Sequence, residues 1–364
     1  MRNLAHRFGA LMLGAMLALP LSALAQTKPE PAPPVTAHPE NKQKPVAPQA
    51  VPVPVPGSTA VPGWNNPPAW GAASERPQYA SVPGVDTNRL IQGAGREWRA
   101  FRNGPVTQYG GWLIAFAFAV LLAFYLWRGP IKVHGKPTGR LIERFNAVER
   151  TAHWTMAITF TLLALSGVVI LWGKYLVLPW LGYTGFSWLT ILSKNLHNFV
   201  GPLFIFSLVV VFLLFVKDNL PRAYDIDWLK RFGGMFSKTG EEVPSGRFNA
   251  GEKMIFWGGL LVLGAAVSVT GLILDFPNWN QGRSLMQEAN VIHAIAAIFF
   301  ISAILGHAYL GTIGMQGAYE AMREGYVDEQ WAKEHHLIWY EEVKQGKRPE
   351  KILAGNVQPA AGDD

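Results

Sequence analysis

The sequence predicts an all-α integral membrane protein, a bundle of four membrane-spanning helices with one additional transmembrane helix on its N-terminal side. Hydrophobic residues make up 49% of the 364 residues and charged residues only 16%, which is less charge than a soluble domain carries. Five hydrophobic stretches each approach the ~20 residues that a helix needs to cross a bilayer. Lysine and arginine are concentrated in alternate connecting segments, as they are in multi-pass membrane proteins.

Composition also restricts the chemistry of the chain. It contains no cysteine, which excludes disulfides, thiolate nucleophiles, cysteine-ligated iron–sulfur clusters and covalently attached c-type haem. We predict no catalytic residue in this chain. Because the basic residues behind the net charge of +7 lie beside hydrophobic stretches, we attribute them to membrane orientation and expect no nucleic-acid partner.

The N-terminal part predicts three successive segments. Residues 1–25 have a basic start, an apolar stretch and an Ala-Leu-Ala ending, which indicates a bacterial secretory signal peptide, with an uncleaved anchor as the alternative. Residues 26–70 contain 13 of the 26 prolines and predict a disordered periplasmic tether. Residues 71–110 are mixed and aromatic, and we expect a periplasmic segment on the membrane surface or an extended lead-in to the first span.

The five predicted spans follow in order. The additional helix is expected at 111–127 and the bundle helices at about 153–173, 196–216, 254–274 and 291–313. Segments 128–152 and 217–253 carry six and seven Lys or Arg side chains, whereas 174–195 and 275–290 carry three in all. By the positive-inside rule the first two segments are cytoplasmic. The sequence therefore predicts a bacterial inner-membrane protein with a periplasmic N-terminus and a cytoplasmic tail at 343–364.

Four of the nine histidines lie in or at the ends of these spans. They are His153, His197, His293 and His307. An ionisable side chain in a span is costly and needs a partner. His293 and His307 share one helix and lie ~21 Å apart along its axis, so one site cannot use both. The predicted topology places His197 at the periplasmic level of His293, and His153 at the cytoplasmic level of His307.

Two imidazoles from facing apolar helices are the ligands of a six-coordinate b-type haem. We therefore expect two haems b, one ligated by each histidine pair. A hydrogen bond across the bundle is the usual alternative for a single histidine, but four histidines in two opposed pairs favour haem. A zinc site would lack cysteine or carboxylate ligands, and a proton relay normally has carboxylates inside the spans, where this sequence has none.

The segment RFNAGEKMIFW, residues 247–257, begins a span at the expected depth of His307. Two haems across a membrane form an electron path, and its carrier within the bilayer is a quinone. Asn249 and Glu252 are the polar groups best placed to hydrogen-bond that quinone or to pass it protons. The alternative is a plain helix start, with Asn249 as the N-cap and Lys253 at the lipid headgroups. Spacing alone does not decide between the two.

Five segments together resemble a known family. They are RFNAVERTAHW, KNLHNFVGP, RFNAGEKMIFW, VIHAIAA and LGHAYLGTIGMQGAYEAMREGYVDEQWAKEHHLIWYEE. In order and spacing they look like the cytochrome b (gamma) subunit of membrane-bound formate dehydrogenase. The resemblance covers residues 140–342, which we expect to form the dihaem cytochrome b domain. The additional N-terminal part resembles the longer bacterial version of the subunit.

The resemblance implies the same two haem pairs and a site for menaquinone or ubiquinone beside the cytoplasmic haem. That site would use His307 and the run Asn249, Ala250, Gly251 and Glu252, in which the family has Gln in place of Glu252. The resemblance also implies an iron–sulfur beta subunit and a molybdenum or tungsten catalytic alpha subunit as partners in a respiratory chain. The formate chemistry would then not reside in this chain.

Two other functions stay open at this point. A related hydrogenase or thiosulfate reductase would use the same haem path with a different electron donor. A non-redox membrane anchor would use the histidines only to stabilise the bundle, and its purified form would lack haem.

Overall fold

The computed structural model describes residues 93–234, 243–279 and 281–353. The predicted signal peptide (1–25), the tether (26–70) and residues 354–364 lie outside these ranges. Within them, five helices are long and apolar enough to cross a membrane. The prediction of a helical membrane protein with five spans is therefore confirmed.

The helices are numbered in chain order. Helix α1 comprises Gly93–Phe101, a π-helical turn Arg102–Val106 and Thr107–Arg128; α2 is Ala147–Leu176, α3 is Leu178–Phe215 and the short α4 is Ala223–Lys230. Helix α5 comprises Ala250–Met254, the π-helical stretch Ile255–Leu263 and Gly264–Asp275, and α6 comprises Arg283–Tyr309 and the π-helical turn Leu310–Gly314. The short helices are α7 (Ala318–Glu324), α8 (Glu329–His335) and α9 (Leu337–Lys344), and a 3₁₀ turn covers Phe232–Gly234.

Helix α1 begins well before the span that hydropathy predicts at 111–127. Residues 93–110, expected as part of a separate surface segment, are helical and continuous with that span. Gly104 and Pro105 favour a break, but they lie in the π-helical turn, where the hydrogen-bond register already changes and the missing N–H of proline is tolerated. The additional transmembrane helix is thus longer than its apolar part.

Helices α2 and α5 begin before their predicted spans, because their first turns are polar. At the start of α2, Asn146 Oδ1 accepts a hydrogen bond from the Glu149 N–H (3.0 Å), and Glu149 Oε2 accepts one from the Asn146 N–H (2.9 Å). Asn249 and Glu252 form the same capping box at the start of α5. Capping boxes satisfy backbone N–H groups at helix starts, and a hydropathy window does not detect them.

The spans α2 and α3 form one antiparallel hairpin, and α5 and α6 form another. We call the end where α2 and α5 begin the basic end, because Arg144 and Arg247 precede these helices there. Helix α1 runs parallel to α6: Arg102 Nε donates to Asn290 Oδ1 (3.1 Å) near the start of α6. Past the other end of α6, Ile131 forms a parallel bridge with Met315.

A small antiparallel sheet covers the basic end. Strand β1 (Leu141–Glu143) lies between β2 (Tyr326–Asp328) and β3 (Ile352–Leu353). Residue Ile142, fully buried, is opposite Val327 on one side and Ile352 on the other. Since β3 pairs with β1, residues as far as Leu353 pack with the domain, whereas the sequence placed a tail from 343 onward. The sheet holds the segment before α2 in place.

Candidate functional site

The structure brings the four span histidines together in two pairs. The ring centroids of His153 and His307 lie 6.2 Å apart with an interplanar angle of 58°. Those of His197 and His293 lie 6.1 Å apart at 69°. Each pair joins one helix of the first hairpin to α6. These are the neighbours that helix order predicts by depth, and the role of the four residues as haem ligands stays a prediction.

The spacing within each pair suits an iron held between two imidazoles. With a metal–nitrogen bond of about 2 Å, two rings on opposite sides of one metal ion place their centroids roughly 6 Å apart. Gly201 lies one turn after His197, and a Cβ there would meet no heavy atom within 4 Å, which leaves room beside the imidazole. Among the residues described, no group of three or more His, Asp or Glu could hold a metal ion. The donor set at each level is therefore two imidazoles, which fits b-type haem.

Hydroxyl groups orient the pair farther from the basic end. Ser166 Oγ on α2 lies 2.8 Å from His197 Nδ1, and Thr270 Oγ1 on α5 lies 3.0 Å from His293 Nδ1. Both hydroxyls donate to a carbonyl of their own helix, at Leu162 and Ala266. Each hydroxyl oxygen is thus left to accept from Nδ1–H, so Nε2 carries the lone pair that binds a metal.

Glycines follow these hydroxyl residues at both sites. A Cβ at Gly167 would lie 3.5 Å from His197 Cε1, and one at Gly271 would lie 3.4 Å from His293 Cε1. The hydroxyl residue therefore gives each imidazole a hydrogen-bond partner. The glycine that follows it lets the ring pack closely against the neighbouring helix. Ser166 and Thr270 were not predicted as site residues. The sequence does contain a signal for them, because a Ser-Gly pair in α2 and a Thr-Gly pair in α5 lie at corresponding positions of the two helices.

An aromatic layer separates the two histidine pairs. The ring of Phe300 on α6 contacts Phe160 on α2 (4.8 Å between centroids) and Phe204 on α3 (6.4 Å). Phe300 lies midway between His293 and His307 in the sequence, seven residues from each. Phe204 and Phe300 are buried. The layer keeps water out of the bundle between the two levels.

The pair at the basic end has a different environment. His153 Nδ1 is buried and has no hydrogen-bond partner among the described residues. The edge of Trp154 packs near this imidazole, with 5.5 Å between centroids. In this part of the chain no hydroxyl bonds His153 as Ser166 bonds His197, so packing orients the His153 ring.

Asn249 and Glu252, the predicted quinone-binding residues, also lie at the basic end. Asn249 Oδ1 accepts from the Glu252 N–H (3.0 Å) and Glu252 Oε2 accepts from the Asn249 N–H (2.7 Å), so the alternative interpretation of Asn249 as an N-cap describes its local role. The side-chain amide nitrogen of Asn249 takes no part in these two bonds. Lys253 is not at the headgroups, because its ammonium is buried and bonded to both carboxylate oxygens of Asp225 (2.9 and 2.8 Å).

Gly251 allows Trp228 of the short helix α4 to pack closely against the start of α5. A Cβ at Gly251 would lie 2.8 Å from Trp228 Cη2, so any larger residue would displace this indole. The Lys253–Asp225 ion pair fixes the same helix next to the start of α5. Helix α4 therefore covers one side of the Asn249–Glu252 turn.

The two hairpins repeat one sequence motif that the sequence analysis did not identify as a repeat. Arg-Phe-Asn-Ala-x-Glu occurs at 144–149 and again at 247–252. The arginines exchange partners between the copies: Arg144 Nη2 lies 3.3 Å from Glu252 Oε1, and Arg247 Nη2 lies 2.9 Å from Glu149 Oε2. Phe145 and Phe248 lie between them, 6.1 Å apart. The signal was five identical residues within a six-residue segment, too short to appear as a repeat period.

Comparison with known proteins agrees with this architecture. A family model described as prokaryotic cytochrome b561 matches residues 144–325. The cytochrome b556(Fdn) subunit of the nitrate-inducible formate dehydrogenase of Escherichia coli strain K12 is 33% identical over 219 residues, which cover 59% of this chain and 98% of that protein. The cytochrome b556(fdo) subunit of formate dehydrogenase from the same strain is 33% identical over 213 residues, covering 56% and 94%.

A more distant relative has the same description. The formate dehydrogenase cytochrome b556 subunit of Haemophilus influenzae is 29% identical over 227 residues, which cover 58% of this chain and 87% of that protein. The predicted resemblance is therefore confirmed. The chain belongs to the prokaryotic cytochrome b561 family and, within it, to the cytochrome b subunits of formate dehydrogenases.

Proposed function

We propose that this membrane cytochrome b accepts electrons from a periplasmic iron–sulfur subunit and delivers them through two haems b to quinone on the cytoplasmic side. The observation that carries the proposal is the presence of two opposed histidine pairs at two levels of one bundle. Haem b supplies reversible one-electron oxidation and reduction. The chain's own part is to hold, orient and insulate the two carriers.

The roles of the ligands follow from their positions. His197 and His293 would hold the haem on the periplasmic side, and His153 and His307 the one on the cytoplasmic side. The Ser166 and Thr270 hydroxyls fix the first pair in the tautomer that leaves Nε2 free. The aromatic layer around Phe300 keeps the region between the pairs dry, which keeps the local dielectric constant low.

The orientation in the membrane rests on charge. The segments at the basic end carry most of the Lys and Arg side chains, so this end faces the cytoplasm and the N-terminus faces the periplasm. The quinone, menaquinone or ubiquinone, would bind near the cytoplasmic haem. Asn249 would hydrogen-bond it through the side-chain amide nitrogen, which takes no part in the capping box. Glu252 and His307 would border it. Gly251 would leave room for Trp228 to pack against the turn.

The partner subunits would dock at the opposite end. Residues 174–194 expose several aromatic side chains there, among them Trp180, Tyr183 and Trp188. Aromatic residues are enriched both at membrane interfaces and at protein interfaces. This segment would contact the iron–sulfur subunit, which in turn would receive electrons from a molybdenum or tungsten subunit that oxidises formate.

Removing a hydroxyl that orients a ligand is expected to weaken haem binding 10- to 100-fold, the usual effect of losing such a partner. Ser166→Ala and Thr270→Ala each release one Nδ1–H. The measurement is the fraction of haem retained during dilution into detergent containing a haem acceptor. Ser207→Ala is the control, because this buried hydroxyl on α3 bonds only the Phe204 carbonyl in its own helix (2.8 Å). Equal retention in all three variants would contradict the assigned tautomer.

The function itself is tested with the purified complex. Addition of formate is expected to reduce the b-type optical bands, and addition of a quinone analogue is expected to reoxidise them. Reduction by hydrogen and not by formate would support a hydrogenase partner, and reoxidation by thiosulfate would support a thiosulfate reductase. Protein purified without haem would support the non-redox anchor.

A further inference from the structure

The repeated motif provides an internal control for the role of Glu252. Glu149 and Glu252 occupy the same position in two copies of one capping box, and each receives an arginine from the other copy. The capping box accounts for the same backbone hydrogen bonds at both glutamates. Their exposure and their ion pairs are features that the cap does not determine, so we compare the two residues in these.

The two glutamates differ in exposure and in bonding. The Glu149 side chain is 8% exposed and its partner Arg247 9%, and Arg247 also bonds Asp218 (2.7 Å). The Glu252 side chain is 34% exposed, and its contact with Arg144 is 3.3 Å long. Charge-assisted N–H···O bonds are typically about 2.7–2.9 Å. Glu252 is thus an accessible and weakly paired carboxylate, whereas Glu149 is enclosed and fully bonded.

Aromatic rings hold the Arg144 guanidinium in place beside Glu252. Its guanidinium is 2% exposed and lies over the rings of four aromatic residues, which are Phe145, Phe248, Trp331 and Trp339. Burial lowers the pKa of Arg144 to about 10, while Glu252 opposes this shift, so the guanidinium stays charged at neutral pH. Its Nη1 is buried and finds no hydrogen-bond partner among the residues that the structure describes. The cation is fixed in place but incompletely compensated.

His336 completes this support. Its Nδ1 lies 2.8 Å from the Gly246 carbonyl, which can only accept, and its Nε2 lies 3.0 Å from Arg144 Nη2, which can only donate. These two bonds require the neutral imidazole with the proton on Nδ1. Burial, and then Arg144, lower the pKa of His336 well below its ordinary value, consistent with a neutral ring. His336 therefore positions Arg144 and does not itself exchange protons near neutral pH.

We propose that Glu252 carries protons from cytoplasmic water to the quinone, and that Arg144 and His336 are positioning residues that hold its carboxylate for this transfer. The proposal rests on the quinone site proposed above. Reduction of a quinone to its quinol takes two electrons, delivered through the haems, and two protons. In each transfer the O–H bond of Glu252 breaks as a quinone O–H bond forms, and water from the cytoplasm then reprotonates the carboxylate.

The surroundings of Glu252 fit this role. The titratable groups that face it are Arg144, before α2, His335, the last residue of α8, and His336, directly after α8. Lys253 and Asp225 neutralise one another. The charge of Arg144 stabilises the carboxylate that remains after the proton leaves. A glutamine at this position could hydrogen-bond a quinone but could not carry a proton.

The test compares Glu252→Gln with Glu149→Gln in the purified complex. General acid–base groups contribute about 100-fold or more, so E252Q is expected to lower quinone turnover roughly 100-fold. The KM for a quinone analogue and the rate of haem reduction by formate should be unchanged, because the amide oxygen of glutamine can still accept the capping hydrogen bond from the Asn249 N–H. E149Q, counted per haem-loaded complex, should turn over as the unmodified complex does.

Arg144 is tested separately, through the pH profile. Arg144→Met removes the cation, so the pKa of Glu252 rises and the pH profile of quinone turnover moves to higher pH. Arg144→Lys and His336→Gln retain the charge or the acceptor, and the profile should stay in place. A purely structural role would lower the yield of haem-loaded complex and leave the profile of the remainder unmoved.

Failure of this proposal is distinct from failure of the quinone site. If the unmodified complex reduces no quinone, the proposed function is wrong. If it does reduce quinone, and E252Q matches it in rate and in pH profile, Glu252 carries no proton and only the present proposal is overturned.

Discussion

Replacing His293 by alanine is expected to remove one of the two proposed haems b and leave the other in place. His293 lies beside His197, whereas His153 lies beside His307 at another level of the bundle. His197 alone would then be left to hold the haem at its level, and one imidazole does not supply both ligands of a six-coordinate haem. The measurement is a reduced-minus-oxidised optical spectrum, with haem quantified per polypeptide.

The pairing itself is tested by double variants. His197→Ala with His293→Ala should lose no more haem than either single variant, whereas His153→Ala with His197→Ala should lose both haems. His134→Ala is the matched control, because this side chain is 61% exposed and contacts Glu334 outside the bundle. Loss of the same haem from H153A and H197A would contradict the assignment of the two levels.

Replacing Arg247 by methionine is expected to destabilise the folded protein by about 3–5 kcal/mol, the usual cost of leaving buried charges unpaired. Arg247 bonds Glu149 (2.9 Å) and Asp218 (2.7 Å) and lies 3.5 Å from Glu350. Burial raises the pKa of Asp218, but the hydrogen bonds from Arg348 and Arg247 outweigh it, and the net effect is a lowered pKa. Methionine would leave the buried Glu149 without its cation, while Asp218 and Glu350 would keep Arg348. The measurement is denaturant-induced loss of the haem spectrum.

The loss of stability on replacing Arg247 should depend on pH in a definite direction. A carboxyl group whose pKa is lowered by folding stabilises the protein above its unfolded pKa, and this contribution is lost as the pH falls through the folded pKa. The difference between R247M and the unmodified protein should therefore be largest near neutral pH and shrink in acid. Arg323→Met is the control, since Arg323 is exposed and its ion-pair partner among the described residues is the adjacent exposed Glu324. Surface ion pairs contribute little to stability. An equal effect in both variants would contradict the role assigned to Arg247.

The number of spans and the histidine pairs could be predicted from the sequence, because both depend on hydropathy and helix order. Hydropathy detects each apolar helix, and antiparallel order places His153 beside His307 without any knowledge of packing. The residues at which the helices begin were harder to predict from the sequence. The first turns of α2 and α5 are polar capping boxes, and α1 continues through a Gly-Pro pair, so composition places these helix starts too late.

The covering of the basic end could not be predicted. Its strands have two or three residues each, and β1 pairs with partners that follow it by almost two hundred residues or more. Segments this short have no periodicity of their own. The exchange of Arg144 and Arg247 between the two motifs also exists only in three dimensions, because each arginine lies close in sequence to the glutamate that it does not bind.

The exchanged arginines also impose an order on biogenesis. Glu149 and Arg247 are separated by 98 residues, so the first hairpin leaves the ribosome before its partner cation has been made. At about 5–20 residues per second, the delay is about 5–20 s. During this interval the nascent hairpin has an unmatched carboxylate, Glu149, and an unmatched guanidinium, Arg144, at the basic end. Their partners Arg247 and Glu252 lie around the start of α5, so both are supplied together, before the rest of the second hairpin is made.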